Sequence, residues 1–240
     1  MQSVKPKIHV LFLPGLLNDA SLFRDQLAAL SPVALTEVAD LTRADSIAEL
    51  ATGVLAEAPA GRFALVGLSM GGYVALEIMR QAPDRVCGLA LLDTSARPET
   101  PAAASARKTL MKLAETDMEA VCEQLLPRLS HPERMNLPAV RGVFHSMAIG
   151  LGKDVFLRQQ TAIMGRADSR PSLAAITCPT LVICGRDDLV TPPEVAEEIA
   201  AGIQQARLCI VDTCGHLSTL DQPEEVAQVL LKWEIGRAHV

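Results

Sequence analysis

Gly67-Leu68-Ser69-Met70-Gly71 has the Gly-x-Ser-x-Gly spacing, and its flanks give the spacing meaning. Arg62-Phe63-Ala64-Leu65-Val66 before it is mostly apolar and reads as a strand, and Tyr73 to Met79 after it reads as a helix. A strand that turns sharply into a helix through two glycines lifts a serine hydroxyl clear of the sheet. It also aims the free N–H groups of the helix start at any negative charge that develops there. Over five residues alone, a glycine-rich turn with a serine N-cap would look the same. Three fixed positions match by chance about 0.1 times in a chain of this length.

A serine hydroxyl becomes a useful nucleophile when a base takes its proton and an acid orients that base. Five histidines are available: His9, His131, His145, His216 and His239. His9 lies within an apolar strand-like run and reads as structural. His216, in Thr213-Cys214-Gly215-His216, follows a strand and precedes the last helix. That placement brings its ring to the carboxyl edge of a sheet, where ligands bind in open α/β folds. For the acid, Asp187 and Asp188 end the run from Leu181, and Asp93 and Asp212 also follow strands. Spacing leaves the four open.

The elements that must position these groups alternate. Strands are expected at Ile8–Leu13, Pro32–Ala39, Phe63–Leu68, Val86–Leu92, Thr180–Cys184 and Arg207–Val211. Helices are expected at Ser21–Ala29, Ser46–Ala58, Gly71–Gln81, Pro193–Ala201 and Pro223–Trp233. This rhythm predicts an α/β fold with a doubly wound, mainly parallel sheet. From about Ala96 to Ala175 the strand signal stops, and amphipathic stretches at Thr109–Ala114, Met118–Leu126 and Val155–Met164 predict a helical insertion. The expected division is a core of residues 1–95 and 176–233 with a cap of residues 96–175. Pro98–Ala104 is the nearest approach to a hinge.

The order serine, aspartate, histidine resembles the α/β-hydrolase superfamily, specifically its serine carboxylesterase-like members with a helical cap. Gly185, Asp188 and Pro192 are similar to that family's Gly-x-x-Asp-x-x-x-Pro pattern, and Gly215-His216 to its histidine motif. The resemblance spans Ile8 to Trp233 outside the insertion, and the chain begins at what resembles the family's third strand, without the usual first hairpin. It favours Asp188 as the acid and implies catalytic Ser69, Asp188 and His216. An oxyanion hole follows from Met70 N–H, one residue past the nucleophile, and by correspondence from Leu16 N–H, with Leu17 as the alternative. Relatives often carry His-Gly where this chain has Pro14-Gly15. Serine at the elbow argues against the dehalogenase and epoxide-hydrolase branches, which use aspartate there.

The implied function is hydrolysis of small, mainly apolar carboxylic esters through an acyl-enzyme, with no metal or organic cofactor. Lactone, thioester or carbon–carbon bond hydrolysis is the alternative, and a non-catalytic ligand-binding homologue is the reading from another class. Met111, Met118, Met135, Met147 and Met164 in the cap suggest a flexible apolar pocket, with Phe144 and Phe156 as further candidates to line it. Arg141, Arg158 and Arg166 are candidates for a substrate carboxylate, each also explained by a solvated surface.

Composition fits this reading. The 240 residues are 49% hydrophobic, 21% charged and only 3% aromatic, with a net charge of −6, a balance that suits one globular core and lacks a basic nucleic-acid footprint. No apolar run reaches membrane-span length, and Met1 to Lys7 has no signal-peptide pattern. The six cysteines form no C-x-x-C pair, as expected for reduced thiols in a cytoplasmic protein. The expected partner is therefore a small-molecule substrate. Glu234 to Val240 resembles the translation of a common short-read sequencing adapter, and is set aside as a non-native tail together with His239.

Overall fold

The computed structural model describes residues 7–233; the tail expectation for 234–240 and His239 lies outside them. Six strands, β1 (Ile8–Leu13), β2 (Ala34–Val38), β3 (Phe63–Leu68), β4 (Val86–Leu92), β5 (Thr180–Gly185) and β6 (Arg207–Val211), form one sheet in the order β2-β1-β3-β4-β5-β6. Every pairing is parallel, with Phe12 opposite Val66, Val66 opposite Ala90 and Leu91 opposite Val182. From β1 the chain moves outward to β2, then returns and proceeds the other way from β3. The switch point of this doubly wound sheet therefore lies between β1 and β3, where such folds open a crevice at the strands' carboxyl ends.

Strands β1, β3, β4 and β5 are buried almost throughout, as expected for a parallel sheet covered on both faces. Alternate residues feed two cores. Val10, Phe12, Val66 and Leu68 pack with Phe23, Leu30, Val226 and Leu230 beneath helices α1 (Arg24–Leu30) and α9 (Pro223–Lys232). Leu11, Leu13, Leu65 and Leu91 pack with Leu50, Val74, Ile78 and Ile199 beneath α2 (Ile47–Glu57), α3 (Met70–Gln81) and α7 (Pro193–Gly202). Ser46 caps α2 by accepting the Glu49 N–H at 3.2 Å, an N-terminal device with a glutamate at the third helical position.

Between β4 and β5 lie α4 (Pro101–Ala114), α5 (Met118–Leu129) and α6 (Pro138–Met164), the last broken at Gly152, where φ is 76°. The short helix α8 (Ser218–Asp221) precedes α9. Pro98–Ala104, the expected nearest approach to a hinge, is tied into the fold by local contacts. Pro101 starts α4, Thr100 caps it by accepting the Ala103 N–H at 3.2 Å, and Glu99 is clamped by two arginines. The six cysteines are free thiols, five of them buried. No helix among the described residues is long and apolar enough to cross a membrane.

Candidate active site

Ser69 follows β3 with φ 54° and ψ −114°, a conformation costly for any residue with a side chain. The turn around it is fixed on every side. A Cβ on Gly67 would stand 2.5 Å from the Gly71 carbonyl, and one on Gly71 would stand 1.9 Å from the Leu13 carbonyl. Glycine is therefore the residue type that lets β3, α3 and the end of β1 meet this closely. The Ser69 N–H donates to Leu92 O at 2.9 Å, and its carbonyl accepts the Thr94 hydroxyl at 2.7 Å.

The loop after β6 brings His216 to this serine, with Nε2 2.8 Å from Ser69 Oγ and Nδ1 2.8 Å from Asp188 Oδ2. Asp188 Oδ1 accepts N–H groups from Val190 at 2.7 Å and Thr191 at 2.9 Å, and Oδ2 accepts the Thr191 hydroxyl at 2.8 Å. Facing an ionised carboxylate, Nδ1 carries the imidazole proton, which leaves Nε2 to accept from Ser69. The other candidates lie elsewhere. Asp187 is half exposed, 3.6 Å from His131, and Asp212 pairs with Arg186 on the surface. His145 bonds Glu119 at 2.5 Å, and His9 sits in β1. Asp93 is buried, accepting N–H groups from Gly185 at 3.0 Å and Ser218 at 3.3 Å.

Burial works against charge on all three inner groups, yet their directions differ. Burial raises Asp188, but the His216 ring and the donated N–H groups outweigh it and hold the carboxyl below its ordinary value. Burial lowers His216, and the Asp188 carboxylate more than reverses that. For Asp93 the balance falls the other way: burial, reinforced by Asp188, outweighs the His216 ring and the hydrogen bonds from Ser218 and Gly185, and pushes it up to about 8. Asp93, Cys184 and Asp188 offer ligand atoms within 4.8 Å of one another. The Asp188 oxygens of this group are already engaged by His216, Val190 and Thr191, and burial raises the Cys184 thiol.

The oxyanion donors expected from sequence lie on the two sides of the switch point. Leu16, after β1, lines the same cavity as Ser69, and no acceptor among the described residues takes its N–H. Met70 opens α3, so its N–H has no carbonyl one turn back within the helix. The alternative, Leu17, is otherwise engaged: it has φ 56° and donates its N–H to Gln159 Oε1 at 2.8 Å. Gln159, wholly buried on α6, also donates to Leu41 O at 3.0 Å. Asp221 was equally invisible in sequence. It accepts N–H groups from Gly215 and His131 at 2.8 Å and the Ser130 hydroxyl at 2.6 Å, joining the His216 loop to the end of α5.

A cavity of about 400 Å³ opens over Ser69 and His216. None of the five cap methionines lines it, and neither do Phe144 and Phe156, which are buried in the core beneath the cap. An amphipathic helix must cover the sheet before it can line a cleft, and here Met147, Phe144 and Phe156 are buried in the core with Met111, Met118 and Met135 packed against it. Leu16, Leu68, Leu110, Leu125 and Leu217 supply the apolar wall, interrupted by Arg97, Glu99, Arg107, Arg128 and Arg166. Arg141 instead pairs with Glu123 at 2.6 Å, and Arg158 donates to Thr42 O at 2.9 Å.

The alpha/beta hydrolase family matches residues 10–229 of the chain. A thermophilic esterase from Thermogutta terrifontis superposes with a TM-score of 0.88 at 28% identity, covering 97% of this chain and 91% of that one. An enol-lactonase from Burkholderia xenovorans LB400 gives 0.85 at 25% identity, covering 95% and 91%. A pimeloyl-acyl-carrier-protein methyl ester esterase of Neisseria meningitidis serogroup B is 28% identical over 201 residues, 79% of this chain and 75% of the relative. The chain covers 33% and 66% of the lengths of two further curated relatives.

Proposed function

The chain belongs to the alpha/beta hydrolase family, and from that premise we propose that it is a serine hydrolase of small carboxylic esters. The observation that carries the reading is the unbroken hydrogen-bonded chain from Ser69 Oγ through His216 to Asp188, mounted on a strained serine beside a cavity. A protein that only bound ligands would gain nothing from that strain.

In the proposed reaction Ser69 Oγ attacks the ester carbonyl carbon while His216 Nε2 takes the hydroxyl proton. The carbonyl oxygen becomes an oxyanion, held by the N–H groups of Leu16 and Met70. The C–O bond to the alcohol breaks, and His216 returns the proton to the leaving oxygen. Water then attacks the acyl-enzyme, giving its proton to His216, and Ser69 recovers a proton as the acid departs. Asp188 remains ionised throughout and stabilises the imidazolium. No step calls for a metal or organic cofactor.

Residues 96–175 serve in this reading as the cap that sets specificity, and a cavity of about 400 Å³ suits a small-molecule substrate. The similar esterase and methyl ester esterase favour open-chain esters. The similar enol-lactonase supports a second reading, opening of a cyclic ester by the same steps. Labelling with a fluorophosphonate probe tests the nucleophile: wild type reacts and Ser69→Ala does not. Failure of the folded wild-type protein to label, or equal labelling of both, sinks the hydrolase reading.

A further inference from the structure

The cavity wall formed by α4 and α6 holds more positive charge than its own carboxylate neutralises. Glu99, nearly buried, takes Arg107 Nε at 2.5 Å and Arg166 Nη1 at 2.9 Å. Two guanidinium groups thus share one carboxylate. Arg128 also lines the cavity, and no carboxylate pairs with it among the described residues.

The two arginines at Glu99 are not equally occupied. Arg166 donates from Nε to Arg97 O at 2.9 Å and from Nη1 to Ile163 O at 3.0 Å, and its guanidinium lies 4.7 Å from the centre of the Tyr73 ring. Arg107 donates from Nη1 to Gln160 Oε1 at 2.8 Å, and no acceptor among the described residues takes its Nη2. That contact also fixes the Gln160 amide, because a guanidinium can only donate. The atom facing Arg107 is the oxygen, so the remaining atom is the NH₂ group. Gln160 is 1% exposed, and its Nε2 has no partner. Its neighbour Gln159 uses both ends of its amide. Gln160 is therefore a buried donor on the cavity wall, beside an incompletely used arginine and a net positive charge, and buried donors are normally satisfied.

We propose that Arg107 and Gln160 form a carboxylate subsite, and that the substrates are esters bearing a free carboxylate away from the scissile bond. This rests on the ester-hydrolase reading above. A carboxylate is planar and presents two acceptor oxygens to a guanidinium edge and an amide N–H. Its single charge matches the one positive charge left uncompensated at Glu99. The substrate classes are half-esters of dicarboxylic acids, with the anion on the acyl side, and acylated hydroxy acids, with the anion on the alcohol side.

The test compares kcat/KM for monomethyl esters of dicarboxylic acids, from succinate to suberate, with their dimethyl esters. O-acetyl hydroxy acids are compared in parallel with their methyl esters. In wild type at least one carboxylate series is preferred over its neutral partner by about 10- to 100-fold, the range of a charge-assisted contact. In Gln160→Glu, which keeps size but adds a negative charge beside Arg107, that ratio falls toward one or inverts, through KM. A binding measurement covers loss of turnover: the Tm of Ser69→Ala rises with the preferred anionic ester and not with its neutral partner, and adding Gln160→Glu removes the rise. Equal or better use of neutral esters in both series, unchanged by Gln160→Glu, overturns the subsite and leaves the hydrolase reading standing. Absence of any ester turnover together with an unlabelled Ser69 overturns both.

Discussion

Asp93 and Asp188 bring carboxylate oxygens within 4.8 Å of each other at the ends of adjacent strands, yet only one is held ionised. Asp188 is hydrogen-bonded to the His216 ring, whereas for Asp93 burial and Asp188 itself outweigh the attraction of that ring and push the carboxyl up to about 8. Two like charges this close and this buried do not both ionise near neutrality. Keeping Asp93 protonated leaves Asp188 as the single negative charge on the imidazole.

This arrangement sets a pH dependence of stability. The Asp93 carboxyl holds its proton to a higher pH in the folded chain than in the unfolded one, where its value is 3.8. Between about pH 4 and 8 the unfolded state therefore binds fewer protons at this site, and stability falls as pH rises. The slope from this one group approaches about 1.4 kcal/mol per pH unit. Urea unfolding across that range is expected to show the decline, and Asp93→Asn to flatten it. An equally steep decline in Asp93→Asn removes Asp93 as its source.

The choice of acid is tested by adjacent substitutions. Asp188→Asn leaves the side chain's shape but removes the charge that holds the Nδ1 proton, and is expected to lower kcat by about 10⁴. Asp187→Asn alters a half-exposed group near His131 and is expected to change kcat less than threefold, about the size of a surface effect. Ester hydrolysis by both purified variants decides it, and the reverse ranking rejects the proposed role of Asp188.

The two substitutions also mark where sequence stops being informative. Strands β1, β3, β4 and β6 were legible to the residue because each is a run of strand-forming side chains, closed by Pro14, Asp93 and Asp212 in β1, β4 and β6 and by the turn at Ser69 in β3. Ser69 and His216 were legible because strand ends deliver them. Asp187 and Asp188 were not separable from spacing alone, since adjacent residues in a tight turn point different ways; only family resemblance favoured one. Gln159 escaped notice because its partner Leu17 is 142 residues away, and nothing local distinguishes a glutamine anchoring a distant loop from one facing solvent. The methionine-lined pocket failed for a related reason. Amphipathicity reports that a face is buried, and the packing partner decides whether it meets a cavity or the core.

Gln159 is a positioning residue for the loop that carries the proposed Leu16 donor, because it anchors the next N–H along. Gln159→Leu leaves the buried Leu17 N–H without an acceptor, at a cost of about 1–3 kcal/mol. It is expected to lower kcat by about tenfold or more, at the lower edge of losing an oxyanion donor, with little change in KM. Gln159→Glu keeps the acceptor oxygen and is expected to retain more of kcat than Gln159→Leu at matched stability. Equal losses of kcat in the two variants, or a loss carried by KM, would assign Gln159 to packing alone.

Glycine at position 71 is required by contact and not by helix chemistry, and a second glycine supplies the contrast. Gly71→Ala would place a Cβ 1.9 Å from the Leu13 carbonyl. Since β1 and α3 both belong to the core, the clash cannot relax into solvent, and a loss of about 3 kcal/mol or more is expected. Gly53 lies within α2, and a Cβ there would meet nothing within 4 Å. Gly53→Ala is expected to stabilise by about 0.5–1 kcal/mol through reduced freedom of the unfolded chain. At about 2–4 °C of Tm per kcal/mol for a chain of this size, calorimetry separates the two. A Gly71→Ala protein that melts with wild type would mean that β1 and α3 can part at the elbow, and the strain at Ser69 would then need a different support.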